Sequence, residues 1–199
     1  MENKFDEIGY TQILFRTLLD CMARPGKIGR IKPATCGLNC CFNDYVLGVA
    51  VTLLDQEVTF HIFKDRHNSS AQLQIYTLSR HRNIEECDYL LVDGKENFDI
   101  QRLKKGSLKF PDESATVICQ VSQLSKEPLF RPGAVKLQLH GPGIQNKQTL
   151  YVDGLNEQIL KPWQNCNREF PLGLDWIFVD QSGWICCIPR STGFVWEVI

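Results

Sequence analysis

An arginine-proline-glycine turn is the first segment whose residue types could bind a ligand. Arg24 precedes Pro25 and Gly26 at the predicted carboxyl end of a helix. A cation is favoured at that end of a helix, and the turn would fix the position of its guanidinium group. The segment therefore predicts either an anion-binding arginine or a structural one that compensates the helix dipole.

Two segments near the carboxyl terminus have comparable chemistry. Arg190 follows a proline and precedes Ser191 and Thr192, whose hydroxyl and amide groups could bind an anion beside the arginine. Asp175 begins a predicted strand after Gly173, at a strand mouth where α/β proteins often bind ligands. Arg190 and Asp175 also have structural interpretations, as a turn cation and an Asx turn.

A histidine before a glycine-rich turn completes the candidate set. His140 precedes Gly141 and Gly143, and could act there as an acid or a donor, or pack as a partly buried structural residue. The candidate anion- or partner-binding residues are Arg24, Pro25, Gly26, His140, Gly141, Gly143, Gly173, Asp175, Arg190, Ser191 and Thr192.

Known catalytic and cofactor motifs do not occur in the sequence. It has no phosphate-binding loop, no dinucleotide-binding glycine motif and no nucleophile elbow. No two titratable residues can be placed as an acid–base pair. Cys36, Cys40 and Cys41 do not have the spacing of a zinc site. We therefore predict no metal, no cofactor and structural thiols in this cysteine trio.

Composition favours an ordinary globular protein with one domain over residues 1–199. The chain is 43% hydrophobic and 23% charged, and its formal net charge of -1 provides no basic field for nucleic acid or anionic lipid. The longest nearly apolar run, residues 46–54, is too short to span a membrane. The amino terminus lacks the features of a signal peptide, so we expect a cytoplasmic protein with reduced cysteines.

Helices alternate with strands early in the chain, and strands dominate late. The spacing of apolar residues predicts helices over 11–23, with Thr11 as the N-cap, and over 45–54, 69–78 and 156–166. Strands are predicted over 58–63, 89–92, 115–121, 174–179, 184–188 and 194–199, with a hairpin formed by 135–139 and 149–152. This order predicts an α/β fold: a single three-layer α/β/α domain whose mixed sheet is covered by helices on both faces.

Four segments, taken in order, resemble a known family. Residues 15–26 read Phe-Arg-Thr-Leu-Leu-Asp-Cys-Met-Ala-Arg-Pro-Gly, similar to the opening Phe-Arg-x-Leu-Leu-x-x-Met-x-x-Pro-Gly helix of the PhnH family. Residues 137–144 (Leu-Gln-Leu-His-Gly-Pro-Gly-Ile) resemble its strand and Gly-x-Gly-Ile turn. Residues 170–175 (Phe-Pro-Leu-Gly-Leu-Asp) and 188–192 (Ile-Pro-Arg-Ser-Thr) resemble its last two motifs, with Ser191 where the family has threonine.

The resemblance implies a fold and a set of partners. The fold would be similar to the large domain of pyridoxal-phosphate-dependent transferases, without the lysine and the pocket for that cofactor. The protein would form a homodimer alone and would join the G, I and J subunits of carbon–phosphorus lyase, chiefly the I subunit. That complex couples an alkylphosphonate to the ribose of ATP and displaces adenine.

Three functional hypotheses remain open from the sequence. The first is a docking subunit that catalyses nothing itself. The second is an accessory binder of a phosphonate or a nucleotide phosphate, using Arg24, Arg190 and the turn at residues 141–143. The third is an independent transferase. The second hypothesis requires that the two arginines converge in one cleft.

Overall fold

The computed structural model describes residues 6–199, which begin with helix α1 (Glu7–Ala23). The side chain of Asp6 caps this helix by accepting the N–H of Gly9 at 3.1 Å. The prediction that Thr11 is the N-cap is wrong. Its hydroxyl donates to the carbonyl of Glu7 at 2.8 Å, one turn inside the helix. None of the helices in the described residues is long and apolar enough to cross a membrane.

Strands in the described residues form two sheets. The strands are β1 (Ile28–Arg30), β2 (Thr59–Ile62), β3 (Arg80–His81), β4 (Tyr89–Asp93), β5 (Thr116–Gln120), β6 (Gln123–Ser125), β7 (Val135–His140), β8 (Gln148–Asp153), β9 (Asp175–Val179), β10 (Trp184–Ile188) and β11 (Gly193–Val198). The large sheet has the order β1-β10-β9-β5-β4-β2-β3. Strand β10 is antiparallel to both its neighbours, and the remaining pairs are parallel. The predicted mixed sheet is confirmed.

Three helices cover one face of the large sheet: α1, α2 (Asp44–Leu53) and α3 (Ser69–Thr77). Side chains alternate between the two faces along each strand, so Leu91, Ile118 and Ile177 pack on the helical side. These three side chains are almost fully buried in one cluster with the inner faces of α1 and α2. The predicted helical layer is therefore present on this face.

The other face of the large sheet is covered mainly by the second sheet. This sheet has the order β11-β7-β8-β6 and is antiparallel throughout. Helix α4 (Leu160–Cys166) packs beside it, with the ring centroid of Trp163 4.6 Å from that of Trp176. The predicted hairpin of β7 and β8 is confirmed, but the prediction of a helical layer on both faces is wrong for this one.

The amphipathic character of β7 explains this second sheet. Val135, Leu137 and Leu139 alternate with polar residues and are fully buried against the large sheet. Such a strand has one apolar face that must be buried. The predicted helix over residues 156–166 is a 3-10 turn (Glu157–Ile159) followed by the seven-residue α4, which is too short to cover the face alone.

The link between β10 and β11 crosses from the large sheet to the second sheet. Residues 189–192 form this crossover, which contains the candidates Arg190, Ser191 and Thr192. The main-chain N–H of Thr192 donates to the carbonyl of Pro189 at 2.9 Å, so the crossover is a tight turn. The candidate segment thus lies where the two sheets meet.

Asp88 connects two parallel strands at their amino ends, and its charge makes stability depend on pH. Its carboxylate accepts the N–H and the hydroxyl of Thr59 at 2.7 and 2.6 Å and forms an ion pair with Lys104. Burial alone would raise the pKa of Asp88, but the hydrogen bonds from Lys104 and Thr59 outweigh it and hold the pKa below the ordinary value of 3.8. The carboxylate therefore stabilises the fold above pH 3.8 and loses this effect as pH falls through the lowered pKa.

We expect Asp88→Asn to lower the free energy of unfolding at pH 7, and the difference from the unmodified protein to shrink towards pH 3. Denaturant unfolding at several pH values measures this difference. Asp112→Asn, at an exposed carboxylate, is the control and should have little effect at any pH. A deficit of Asp88→Asn that is the same at pH 7 and pH 3 would show that the carboxylate charge is not responsible.

Candidate functional site

Arg190 and Asp175 form an ion pair at one edge of the large sheet. Because β9 and β10 are antiparallel, the start of β9 and the end of β10 lie side by side. The carboxylate of Asp175 accepts the main-chain N–H of Arg190 at 2.7 Å, and from the guanidinium it accepts Nε at 3.2 Å and Nη2 at 2.6 Å. The guanidinium also donates through Nη1 to the carbonyl of Pro111. Both side chains of the pair are more than four-fifths buried.

This pairing changes the interpretation of both residues. Asp175 lies at the amino end of a parallel strand, paired with Thr116 at the start of β5. Ligands of α/β sheets usually bind at the carboxyl ends of the strands, so Asp175 lies at the opposite end of the sheet from such sites. The guanidinium of Arg190 is occupied by Asp175 and Pro111, and it ties the crossover to the large sheet.

Gly173 permits the turn that leads into Asp175. Its φ is +137°, and a Cβ there would lie 2.6 Å from Oδ1 of Asn167. That oxygen accepts the N–H of Leu174 at 2.9 Å, while Nδ2 of Asn167 donates to the carbonyl of the same leucine at 3.1 Å. A side chain at Gly173 would displace this clamp. We therefore assign Gly173 to packing.

An apolar groove of about 510 Å³ opens beside the ion pair. Its lining combines five apolar residues with four polar ones: Met22, Pro111, Phe170, Pro171 and Pro189, and Asp112, Asp175, Arg190 and Ser191. We call these residues the apolar groove. Thr192, next to it, is buried, and its hydroxyl has no hydrogen-bond partner within residues 6–199.

The end of α1 packs tightly against the turn between β7 and β8. Gly26 and Gly143 have φ values of +82° and +79°. A Cβ at Gly26 would lie 2.4 Å from Cγ of Gln148, and one at Gly143 would lie 2.4 Å from the carbonyl oxygen of Ala23 and 2.9 Å from Cδ of Pro25. Glycine is required at both positions for two reasons: a side chain would clash with the neighbouring segment, and a positive φ disfavours other residues.

A cationic cleft of about 480 Å³ lies at this contact. Its charged residues are Arg24, Lys27, Lys126 and Lys147, and we call them the cationic cleft. Both Arg24 and Lys27 form ion pairs with Asp20. Sequence reasoning singled out only Arg24, because the three lysines come from separate segments and no motif connects them.

The segments that contain the candidate residues contact one another. The ring of His140 lies over Gly193, where a Cβ would be 2.4 Å from Nε2. A Cβ at Gly141 would lie 3.0 Å from the carbonyl oxygen of Ser191. The four segments are therefore neighbours, but Arg24 lines the cationic cleft and Arg190 lines the apolar groove. The two arginines do not share a cavity.

The cysteine trio packs against the core on the helical side of the large sheet. Cys36, Cys40 and Cys41 are half-buried, whereas Cys186 and Cys187 in β10 are fully buried. Burial raises the pKa of Cys40, an environment that favours the unreactive thiol. Within residues 6–199, no three or more histidine, cysteine or acidic side chains are grouped so that they could hold a metal ion.

Comparison with known proteins identifies the family. The model of the PhnH family, described as a bacterial phosphonate metabolism protein, matches residues 4–194. The chain is 30% identical over 182 residues to the putative C-P lyase subunit protein HtxG of Stutzerimonas stutzeri, covering 91% of this chain and 84% of that protein. It is 28% identical over 201 aligned positions to the alpha-D-ribose 1-methylphosphonate 5-triphosphate synthase subunit PhnH of Rhizobium meliloti (strain 1021), covering 94% and 91%. Together with the four motifs, these matches show that the chain belongs to the PhnH family of bacterial phosphonate metabolism proteins.

Proposed function

We propose that this protein is a supporting subunit of a carbon–phosphorus lyase complex that couples an alkylphosphonate to C1 of the ribose of ATP, with loss of adenine. Two relatives are named as subunits of such systems. The chemistry-bearing pair Asp175 and Arg190 is used in an internal ion pair, which supports a docking role over a catalytic one.

The observation that carries the proposal is an apolar stripe on the outer side of α1. Ile8, Phe15 and Leu19 are 73%, 45% and 53% exposed, although they lie on a helix whose inner face is already buried through Leu14 and Leu18. Their spacings of seven and four residues place them on one line along the helix. Exposed apolar surface of this kind marks protein–protein interaction sites.

This stripe continues into the apolar groove. Met22, one turn after Leu19, lines the groove together with Phe170, which is 66% exposed. The helix and the groove thus form one apolar surface that reaches the crossover at Arg190 and Ser191. A surface assembled from separate segments requires an intact fold, which fits a docking subunit.

We further propose the identity of the partners. The surface would contact the I subunit chiefly, within a complex that also contains the G and J subunits, and a second copy of this chain would cover it when the protein is alone. The assembly would be cytoplasmic. The helical layer on a mixed sheet supports a relationship to the large domain of pyridoxal-phosphate-dependent transferases.

The test is co-expression with the G, I and J subunits from the same source, followed by co-purification and measurement of adenine release from ATP with methylphosphonate. Leu19→Asp should reduce co-purification by roughly tenfold or more, because a charge would be desolvated in the contact. Adenine release should fall in parallel.

The matched control is Ile75→Asp, because Ile75 is a 78% exposed apolar residue on α3. This variant should assemble and support adenine release normally. If Leu19→Asp assembles as well as Ile75→Asp, the stripe is not the docking surface. If the unmodified chain neither co-purifies nor affects adenine release, the proposed function itself is wrong.

A further inference from the structure

The cationic cleft concentrates positive charge on a protein that has almost no net charge. Arg24, Lys27, Lys126 and Lys147 supply four positive charges, and Asp20, which pairs with two of them, supplies one negative charge. The local balance is therefore 4 − 1 = +3, whereas the whole chain has a formal net charge of -1. No carboxylate of residues 6–199 lines the cleft itself.

Two of the four cations have no partner in the part of the chain that the structure describes. Lys126 and Lys147 make no ion pair and no side-chain hydrogen bond within residues 6–199, while Lys27 and Arg24 are held in place by Asp20. The remaining lining combines the apolar residues Pro25 and Ile144 with polar residues that include Gln145 and Asn146 from the turn between β7 and β8.

The main chain of that turn supplies further donors. The only hydrogen bond that its N–H groups make between residues 143 and 147, among the described residues, runs from Ile144 to the carbonyl of Gly141 at 3.2 Å. The N–H groups of Gln145 and Asn146 are therefore free to donate. Unpaired amides in a turn, beside lysine side chains, are typical of phosphate sites.

We propose that the cationic cleft binds the oligophosphate chain of a small molecule. A volume of about 480 Å³ lies within the range of small-molecule sites and exceeds what a single phosphonate group would fill. A local charge of +3 matches a triphosphate chain better than one dianion. The free lysines and amides bind the phosphate oxygens, and Asp20 positions Arg24 and Lys27.

This inference stands without the proposed function, since it uses only the charges and the shape of the cleft. It also differs from the binding site predicted from the sequence. Arg190 takes no part, because its guanidinium is paired with Asp175 and lies in the apolar groove. Lys27, Lys126 and Lys147 take its place.

Calorimetric titration of the full-length chain with sodium tripolyphosphate, ATP and methylphosphonate, at constant ionic strength, tests the proposal. We expect tripolyphosphate and ATP to bind with similar affinity, and methylphosphonate at least roughly tenfold more weakly, because it offers fewer charges. The double variant Lys126→Ala with Lys147→Ala should lose roughly tenfold or more in affinity for tripolyphosphate.

The matched control is the double variant Lys32→Ala with Lys95→Ala, which removes two exposed lysines outside the cleft and leaves the same net charge. It should bind tripolyphosphate like the unmodified chain. Equal losses in the two double variants would show diffuse charge attraction, and equal affinity for methylphosphonate and tripolyphosphate would show that chain length is not recognised. Either result, or the absence of binding, overturns the proposal.

Co-purification of the same variants with the G, I and J subunits separates this proposal from the previous one. The cleft variant should assemble normally. If it binds tripolyphosphate like the unmodified chain but fails to assemble, the cleft is a protein contact, and the proposal is wrong while the proposed function stands.

Discussion

Replacing Arg190 with alanine is expected to lower the free energy of unfolding by about 2–3 kcal/mol, because the carboxylate of Asp175 would remain largely buried without its cation. Three guanidinium hydrogen bonds to Asp175 and one to the carbonyl of Pro111 would be lost together. The pair is somewhat exposed, so the loss should be smaller than for a fully buried ion pair. Denaturant unfolding measures it directly.

A double-mutant cycle distinguishes the pair from a general effect of truncation. Removing both partners, Asp175→Ala with Arg190→Ala, should cost less than the sum of the single substitutions, since no charge is left unpaired. Arg102→Ala, which breaks an exposed ion pair with Glu85, is the control and should change stability little. Additive losses in the cycle would show that the two side chains do not depend on each other.

Replacing Gly143 with alanine is expected to destabilise the protein more than the same change at Gly133. Both glycines have left-handed backbone conformations, with φ values of +79° and +85°, so the backbone strain of about 1–2 kcal/mol is shared. Only at Gly143 would the new Cβ meet the carbonyl of Ala23, at 2.4 Å. Overpacking of this kind adds about 1–3 kcal/mol.

Gly133→Ala is a close control because no atom of the described residues lies within 4 Å of its ideal Cβ position. Thermal or denaturant unfolding of the two variants isolates the cost of the contact between α1 and the turn between β7 and β8. Equal losses would mean that the turn moves freely away from the helix end, and the cationic cleft would then lack a rigid wall.

The candidate residues divide between two roles that follow from their positions. Asp175, Arg190 and Gly173 hold the crossover between the sheets, which shapes the apolar groove. Gly26 and Gly143 let the end of α1 approach the turn, which shapes the cationic cleft. We infer that these glycines, Asp175 and Arg190 preserve the scaffold, and that Leu19, which belongs to the first motif, and the lysines contact partners or ligands.

Local patterns were sufficient for most of the secondary structure, although they did not predict strands β1, β3 and β6. The helix over residues 45–54, the hairpin of β7 and β8 and the strands β9, β10 and β11 each follow from spacing and turn residues within one short segment. The sequence pattern assigns the N-cap of α1 to Thr11 because threonine is a good capping residue. Asp6, which is another good capping residue earlier in the chain, caps the helix instead.

Residue patterns predict most of the helices and strands, the mixed character of the large sheet and, through four ordered motifs, the family. The three-dimensional fold was needed to show that β11 joins a second sheet, that Asp175 and Arg190 are partners, and that Lys126 and Lys147 share a cleft with Arg24. The two kinds of information act over different distances along the chain. Spacing and turn chemistry act over a few residues. These tertiary contacts join distant segments, which come together when apolar faces are buried. Each apolar face could be buried against several others, so local sequence does not specify its partner.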